Sequence, residues 1–71
     1  MHPPELTAED VHDAFNRLGY RQLRSLQCRA DGGVVTLKGT IASFYLKQIA
    51  QSTAAKVAGV KRVVNEIQVP E

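Results

Sequence analysis

The sequence predicts an α+β fold of order αββαβ, with two helices packed on one face of a three-stranded mixed sheet. Three observations carry this. Apolar residues recur at helical spacing in two stretches, Val11 to Leu18 and Leu46 to Val57. They alternate at period two in three others, and glycine-bearing turns separate the stretches. Helix and strand periods cannot be exchanged without exposing the apolar face, so the order of periods predicts the order of elements.

Residues 1–5 read as a flexible tail and residues 6–69 as one domain. Thr7 is placed to cap the first helix, with Asp10 three residues later to complete a capping box. Leu6 precedes the cap and can staple against Val11. Val11, Ala14, Phe15 and Leu18 form one apolar stripe, with Glu9, Asp13 and Asn16 opposite and Gly19 as the stop. From Leu23 to Ala30 the chain reads as a half-buried strand, with Leu26, Cys28 and Ala30 on one side. Asp31-Gly32-Gly33 is a turn, and Val34 to Ile41 returns as the second strand of a hairpin. Val35, Leu37 and Ile41 face the core. Gly39 on the same side leaves room for a helix backbone to approach.

Ser43 is a fitting N-cap for a second helix running through Ala58. Its core stripe is Leu46, Ile49, Ala50, Thr53 and Val57, and Gly59 is read as its stop, with Val60 making the apolar contact of a Schellman motif. The last strand spans Lys61 to Val69 and ends at Pro70. The second strand carries the fullest apolar set and is expected in the centre, antiparallel to the first and parallel to the third through a right-handed crossover. The far face of the sheet is then mostly polar.

Size and composition limit what such a fold can do. A chain of 71 residues buries only roughly 60% of its unfolded surface, leaving little volume for a deep pocket. With 44% hydrophobic and 23% charged residues it is globular in composition. Cys28 is the lone cysteine, which excludes an internal disulfide and a cysteine-based zinc site within one chain. No run approaches the ~18–20 apolar residues of a membrane-spanning helix. Met1 to Glu5 has neither the basic nor the apolar region of a signal peptide. The compartment stays open: periplasm or cell envelope if the chain is excised from a longer exported protein, cytoplasm if it is complete.

The net charge of +2 is unevenly placed. Glu5, Glu9, Asp10 and Asp13 precede Arg17, and all nine Lys and Arg lie from Arg17 onward. Acidic residues suit a helix N-terminus in any protein. The split also suits an anionic partner or the self-association of opposite patches.

The runs Asp31-Gly32-Gly33-Val34-Val35-Thr36-Leu37-Lys38-Gly39-Thr40-Ile41 and Gly59-Val60-Lys61-Arg62-Val63-Val64-Asn65-Glu66-Ile67-Gln68-Val69 together resemble the BON domain. This small bacterial module occurs in osmotic-shock-protective periplasmic proteins and in secretin-like, channel-associated and nodulation-type proteins. The likeness covers nearly the whole chain. It implies the αββαβ fold and a non-enzymatic role in contact with phospholipid membranes or envelope components. It brings no catalytic residues. It gives Gly39 and Gly59 backbone roles and Val35, Leu37, Val63 and Ile67 core roles.

No catalytic, metal or cofactor site is expected. His12 and Asp13 are consecutive on a helix and point about 100° apart. The open sheet face, with Gln27, Arg29, Thr36, Lys38, Thr40, Glu66 and Gln68, lacks the aromatic platform that single-stranded nucleic acid needs. Two candidate contact clusters remain. Phe44, Tyr45 and Lys47 open the second helix, where an exposed aromatic pair with a lysine can seat at a lipid headgroup boundary. Phe44 can alternatively fold back over the end of the sheet, the commoner fate of a first-turn residue. Lys56, Lys61 and Arg62 surround the Gly59 turn and can meet lipid phosphate. The expected partner is an anionic membrane surface or an envelope protein. The alternative is a protein-interaction or self-assembly module that binds no lipid.

Overall fold

The computed structural model describes residues 6–70, so the tail expected over residues 1–5 lies outside the described residues. The elements in chain order are α1 (Ala8–Leu18), α2 (Arg21–Arg24), β1 (Gln27–Asp31), β2 (Val34–Thr40), α3 (Phe44–Ala55) and β3 (Arg62–Gln68). The sheet order is β1-β2-β3, with β2 antiparallel to β1 and parallel to β3. The mixed α+β architecture is as the periodicity predicts, with β2 in the centre.

The start of α1 follows from its capping box. The Thr7 N–H donates to Asp10 Oδ2 at 3.0 Å and the Asp10 N–H donates to Thr7 Oγ1 at 3.4 Å. These satisfy two of the backbone donors that a helix start leaves unpaired. Ser43 caps α3 by a single bond, its Oγ accepting from the Leu46 N–H at 3.2 Å.

Four local readings are corrected. Leu23 does not belong to the first strand. Leu23 and Leu26 are both buried, but three residues apart, a helical spacing, and Leu23 lies in the short helix α2. The axis of α3 that is fully buried is Leu46, Ala50 and Ala54, with Ile49, Thr53 and Val57 half-buried beside it. The helix also stops earlier than expected, with Lys56 as C-cap. Tight turns then carry the Lys56 N–H to Thr53 O and the Val57 N–H to Ala54 O. Gly59, at φ 93°, therefore shapes the loop after the helix and does not sit at its Schellman position. Finally, Gly39 is demanded by a side chain, not by a helix backbone. A Cβ placed there would stand 2.8 Å from Leu26 Cδ2, and the φ of 145° is itself unfavourable for an L side chain.

The core lies between the sheet and the helices. Val11 and Phe15 come from α1, Leu23 and Leu26 from α2 and the bend after it, Val35, Leu37 and Ile67 from the strands, and Ala50 and Ala54 from α3. Pairing across the sheet places Cys28, Leu37 and Asn65 in one row on this face, and Gln27, Lys38 and Glu66 in one row on the open face. Among the described residues no polar or charged side chain is fully buried.

Candidate functional site

The parallel crossover gives the molecule two distinct ends. β2 and β3 both begin at the Asp31-Gly32-Gly33 turn, where Val34 pairs with Arg62, and both finish where Thr40 pairs with Gln68. The first candidate cluster follows Thr40. The second lies before and at Arg62, the first residue of β3. Seven paired residues separate them, roughly 20 Å at the rise of a strand. The structure therefore does not bring the two clusters together.

At the glycine-turn end, the Lys61 N–H donates to Gly33 O at 2.8 Å and the Arg62 N–H to the same oxygen at 3.3 Å. This ties the two loops. The aliphatic stem of Lys61 lies along Gly33. Lys56, Lys61 and Arg62 are exposed and form a basic rim with no exposed large hydrophobic residue among them.

The opposite end is chemically different. Phe44 is 69% exposed and Tyr45 61%. Phe44 thus points outward, and the placement in which it caps the sheet is overturned. The geometry of α3 explains this: Leu46 occupies the inward position of the first turn, which rotates Phe44 about 200° away from it. Tyr20, 37% exposed, and Leu18, 42% exposed, complete the exposed large hydrophobics among the described residues. They lie at the C-terminal end of α1 and just beyond it. Tyr20 meets Tyr45, and hydrogen bonding to the Tyr45 side chain is the main cause that raises the Tyr20 phenol above its usual pKa. The α2 segment is anchored here as well, because Gln22 Oε1 accepts from the Ala42 N–H at 2.8 Å. Three of these four side chains, Tyr20, Phe44 and Tyr45, therefore lie where α1 ends and α3 begins, while Leu18 turns into the groove toward Thr53 and Val57.

Charge follows the same division. Arg17 stands in the last turn of α1, and Arg21 and Arg24 lie on α2. Lys47, half-buried, flanks Phe44 on α3. Neither α2 nor α3 contains an acidic residue, while Glu9 and Asp10 occupy the far end of α1. The outward side of α3 continues from Phe44 and Tyr45 through Gln48, Gln51, Ser52 and Ala55, all exposed and uncharged.

Tyr20, Arg21 and Arg24 were not among the residues singled out from the sequence. The usable signal was the phase of Leu23, which is out of register with Leu26, Cys28 and Ala30 and marks a helical turn there. Asn65 is a second omission. Its Nδ2 donates to Lys47 O at 3.4 Å and to Gln51 Oε1 at 3.1 Å, while its Oδ1 accepts from the Ile67 N–H at 3.1 Å. It fixes the first turns of α3 to β3 and so holds Phe44 and Tyr45 in place.

Two grooves complete the surface. One of about 560 Å³ runs between α1 and α3, with Leu6, Ala14, Leu18 and Val57 in its wall and Asp10 and Lys56 at its rim. The other, about 550 Å³, lies on the open sheet face beside the Lys38–Glu66 ion pair, whose charged atoms are 3.5 Å apart. Among the described residues no group of three or more His, Cys, Asp or Glu is arranged to hold a metal ion. Nor is any helix there long and apolar enough to cross a membrane.

A family model described as the BON domain matches residues 5–71 of the chain. No curated protein matches it.

Proposed function

Because the chain belongs to the BON domain family, a family of binding modules and not of enzymes, we propose that it is a peripheral binding module for anionic phospholipid surfaces. The contact is made by the end of the molecule that carries Tyr20, Phe44 and Tyr45. The supporting observation is that exposed Phe44 and Tyr45 share that end with Tyr20, with Arg21 and Arg24 on α2 directly after Tyr20 and Lys47 one turn along α3 from Phe44. Aromatic side chains seat at the headgroup boundary while the cations meet phosphate. The basic rim of Lys56, Lys61 and Arg62 faces away and belongs to a separate, weaker surface.

Magnitudes favour a reversible attachment. Withdrawing Phe44 and Tyr45 from water contributes about 1–2 kcal/mol each, and each cation near an anionic surface about 1 kcal/mol. A total of about 6 kcal/mol corresponds to a Kd on the order of 10⁻⁵ to 10⁻⁴ M.

The test is co-sedimentation of the chain with vesicles of phosphatidylglycerol and phosphatidylcholine, with pure phosphatidylcholine as control. Binding to the anionic vesicles is expected to weaken from about 0.05 to about 0.5 M salt. Phe44→Ala with Tyr45→Ala is expected to weaken it by about tenfold or more, and Lys61→Glu with Arg62→Glu to leave most of it. Absence of binding by folded protein at low salt refutes the reading. Loss of binding that follows Lys61 and Arg62 instead of the aromatics moves the site to the other end and equally refutes it.

A further inference from the structure

The two edges of the sheet are not equivalent. Backbone N–H and C=O groups of successive strand residues point to alternate sides. Gly33 O accepts from the Lys61 and Arg62 N–H groups, and the Ile41 N–H donates to Gln68 O. Odd-numbered residues of β2 therefore address β3, and even-numbered ones address β1. In β3 it follows that Val63, Asn65 and Ile67 point to the free edge. That edge is plugged, because the Ile67 N–H is already taken by Asn65 Oδ1, on a side chain tied down to α3. A strand arriving at β3 would find the outward donor of Ile67 already occupied. In β1 the same alternation turns Gln27, Arg29 and Asp31 toward their partners Lys38, Thr36 and Val34. Cys28 and Ala30 then present their N–H and C=O groups outward. Among the described residues these outward groups have no hydrogen-bond partner.

We propose that the free edge of β1 pairs antiparallel with the same edge of a second copy of this chain, with the two-fold axis at Ala30. The pleat allows only registers in which like faces meet. An axis at Ala30 sets the two Ala30 residues opposite each other, with reciprocal backbone bonds, and sets Arg29 of each copy opposite Asp31 of the other on the open face. Both charges are exposed, and opposite charges directly across an antiparallel pair stabilise it. An axis at Arg29 would stack the two guanidinium groups on each other. An axis at Cys28 would pair Arg29 with Gln27 and leave Asp31 without a cross-strand cation. The charge pattern selects Ala30. The product joins two sheets of three strands into one continuous sheet, with the helices of both copies on the same side.

A strand of five residues gives a small interface, below the roughly 1,200 Å² of stable complexes, so the dimer forms only at high protein concentration. Sedimentation equilibrium of the chain up to about millimolar concentration is the measurement, with the fold of each variant checked by circular dichroism. The wild-type chain is expected to dimerise. Asp31→Arg and Arg29→Asp are each expected to raise the dimer Kd about tenfold, because every pair becomes like-charged. The double exchange Arg29→Asp with Asp31→Arg is expected to restore it, since the pattern is again self-complementary. Mild oxidation is expected to yield no disulfide-linked dimer, because Cys28 faces Gly32 of the other copy. A wild-type chain monomeric throughout, a folded double exchange that stays monomeric, or single variants that dimerise as well as wild type would each overturn the proposal. Rapid Cys28–Cys28 linkage would overturn the register.

Discussion

Replacing Gly39 by alanine should be among the most damaging single changes in the molecule, although it adds one carbon. Gly39 has φ 145°, and a Cβ there would lie 2.8 Å from Leu26 Cδ2 and 3.5 Å from Leu26 Cα. Leu26 is only 2% exposed, so its side chain cannot swing into solvent to make room. Holding a non-glycine residue at such a φ costs about 1–3 kcal/mol, and forcing an extra methyl into a packed site costs about 1 kcal/mol or more. The expected loss is about 2–4 kcal/mol. A chain of 71 residues has about 4–10 kcal/mol in all, so the midpoint should fall by about 15 °C. Gly19→Ala is the comparison at a positive φ without a clash. Gly19 also has positive φ, 78°, but nothing lies within 4 Å of its added Cβ, and its cost should be about 1 kcal/mol. Thermal and urea unfolding followed by circular dichroism supplies both values. In a Leu26→Ala background the penalty of Gly39→Ala should shrink by about 1 kcal/mol. Equal penalties for the two glycines, together with no coupling to Leu26, would refute the account.

Asn65→Ala should cost about 1–3 kcal/mol, since it removes the bonds to Lys47 O and Gln51 and leaves the Ile67 N–H unpaired. Hydrogen exchange at Ile67 should accelerate more than at Val35 in the sheet centre, and uniform acceleration would count against a local role. Burial pushes the Cys28 thiol up to about 11 from 9.0. A thiol held neutral in the fold stabilises it fully below the unfolded pKa, and that contribution is lost as pH rises from about 9 to about 11. Stability measured over that window should fall more steeply for the wild-type chain than for Cys28→Ala, and parallel curves would show that the thiol is not shielded.

Much of the fold was legible because its determinants are local. The capping box of α1 needs only Thr7 and Asp10, three residues apart. The central place of β2 follows from the apolar content of Val35 and Leu37, both completely buried. What was not legible depends on contacts between distant parts of the chain. The partner of Gly39 is Leu26 in the bend before β1. Asn65 acts through a carbonyl 18 residues away. Tyr20 joins the candidate surface only because Gln22 binds the Ala42 N–H, 20 residues on. A helical wheel of α3 alone finds Phe44 and Tyr45, but not the second aromatic neighbour or the arginines of α2.

The edge pairing and the lipid contact together make a prediction that neither makes alone. In β1 the Gln27 end lies beside Lys38, near the aromatic end of the molecule, and the Asp31 end lies beside the basic rim. Antiparallel pairing of two β1 edges therefore turns the two aromatic ends in opposite directions. Such a dimer gains no avidity on one flat bilayer, because both sites cannot face it at once. It can instead hold two bilayers, one at each end. At protein concentrations where the dimer forms, anionic vesicles should cluster, seen as a rise in turbidity reversed by salt. Asp31→Arg should leave co-sedimentation largely intact while abolishing the clustering. Phe44→Ala with Tyr45→Ala should abolish both. Clustering that persists in folded, monomeric Asp31→Arg would show that a single copy bridges two surfaces, which assigns the second contact to Lys56, Lys61 and Arg62 and removes the dimer from the mechanism.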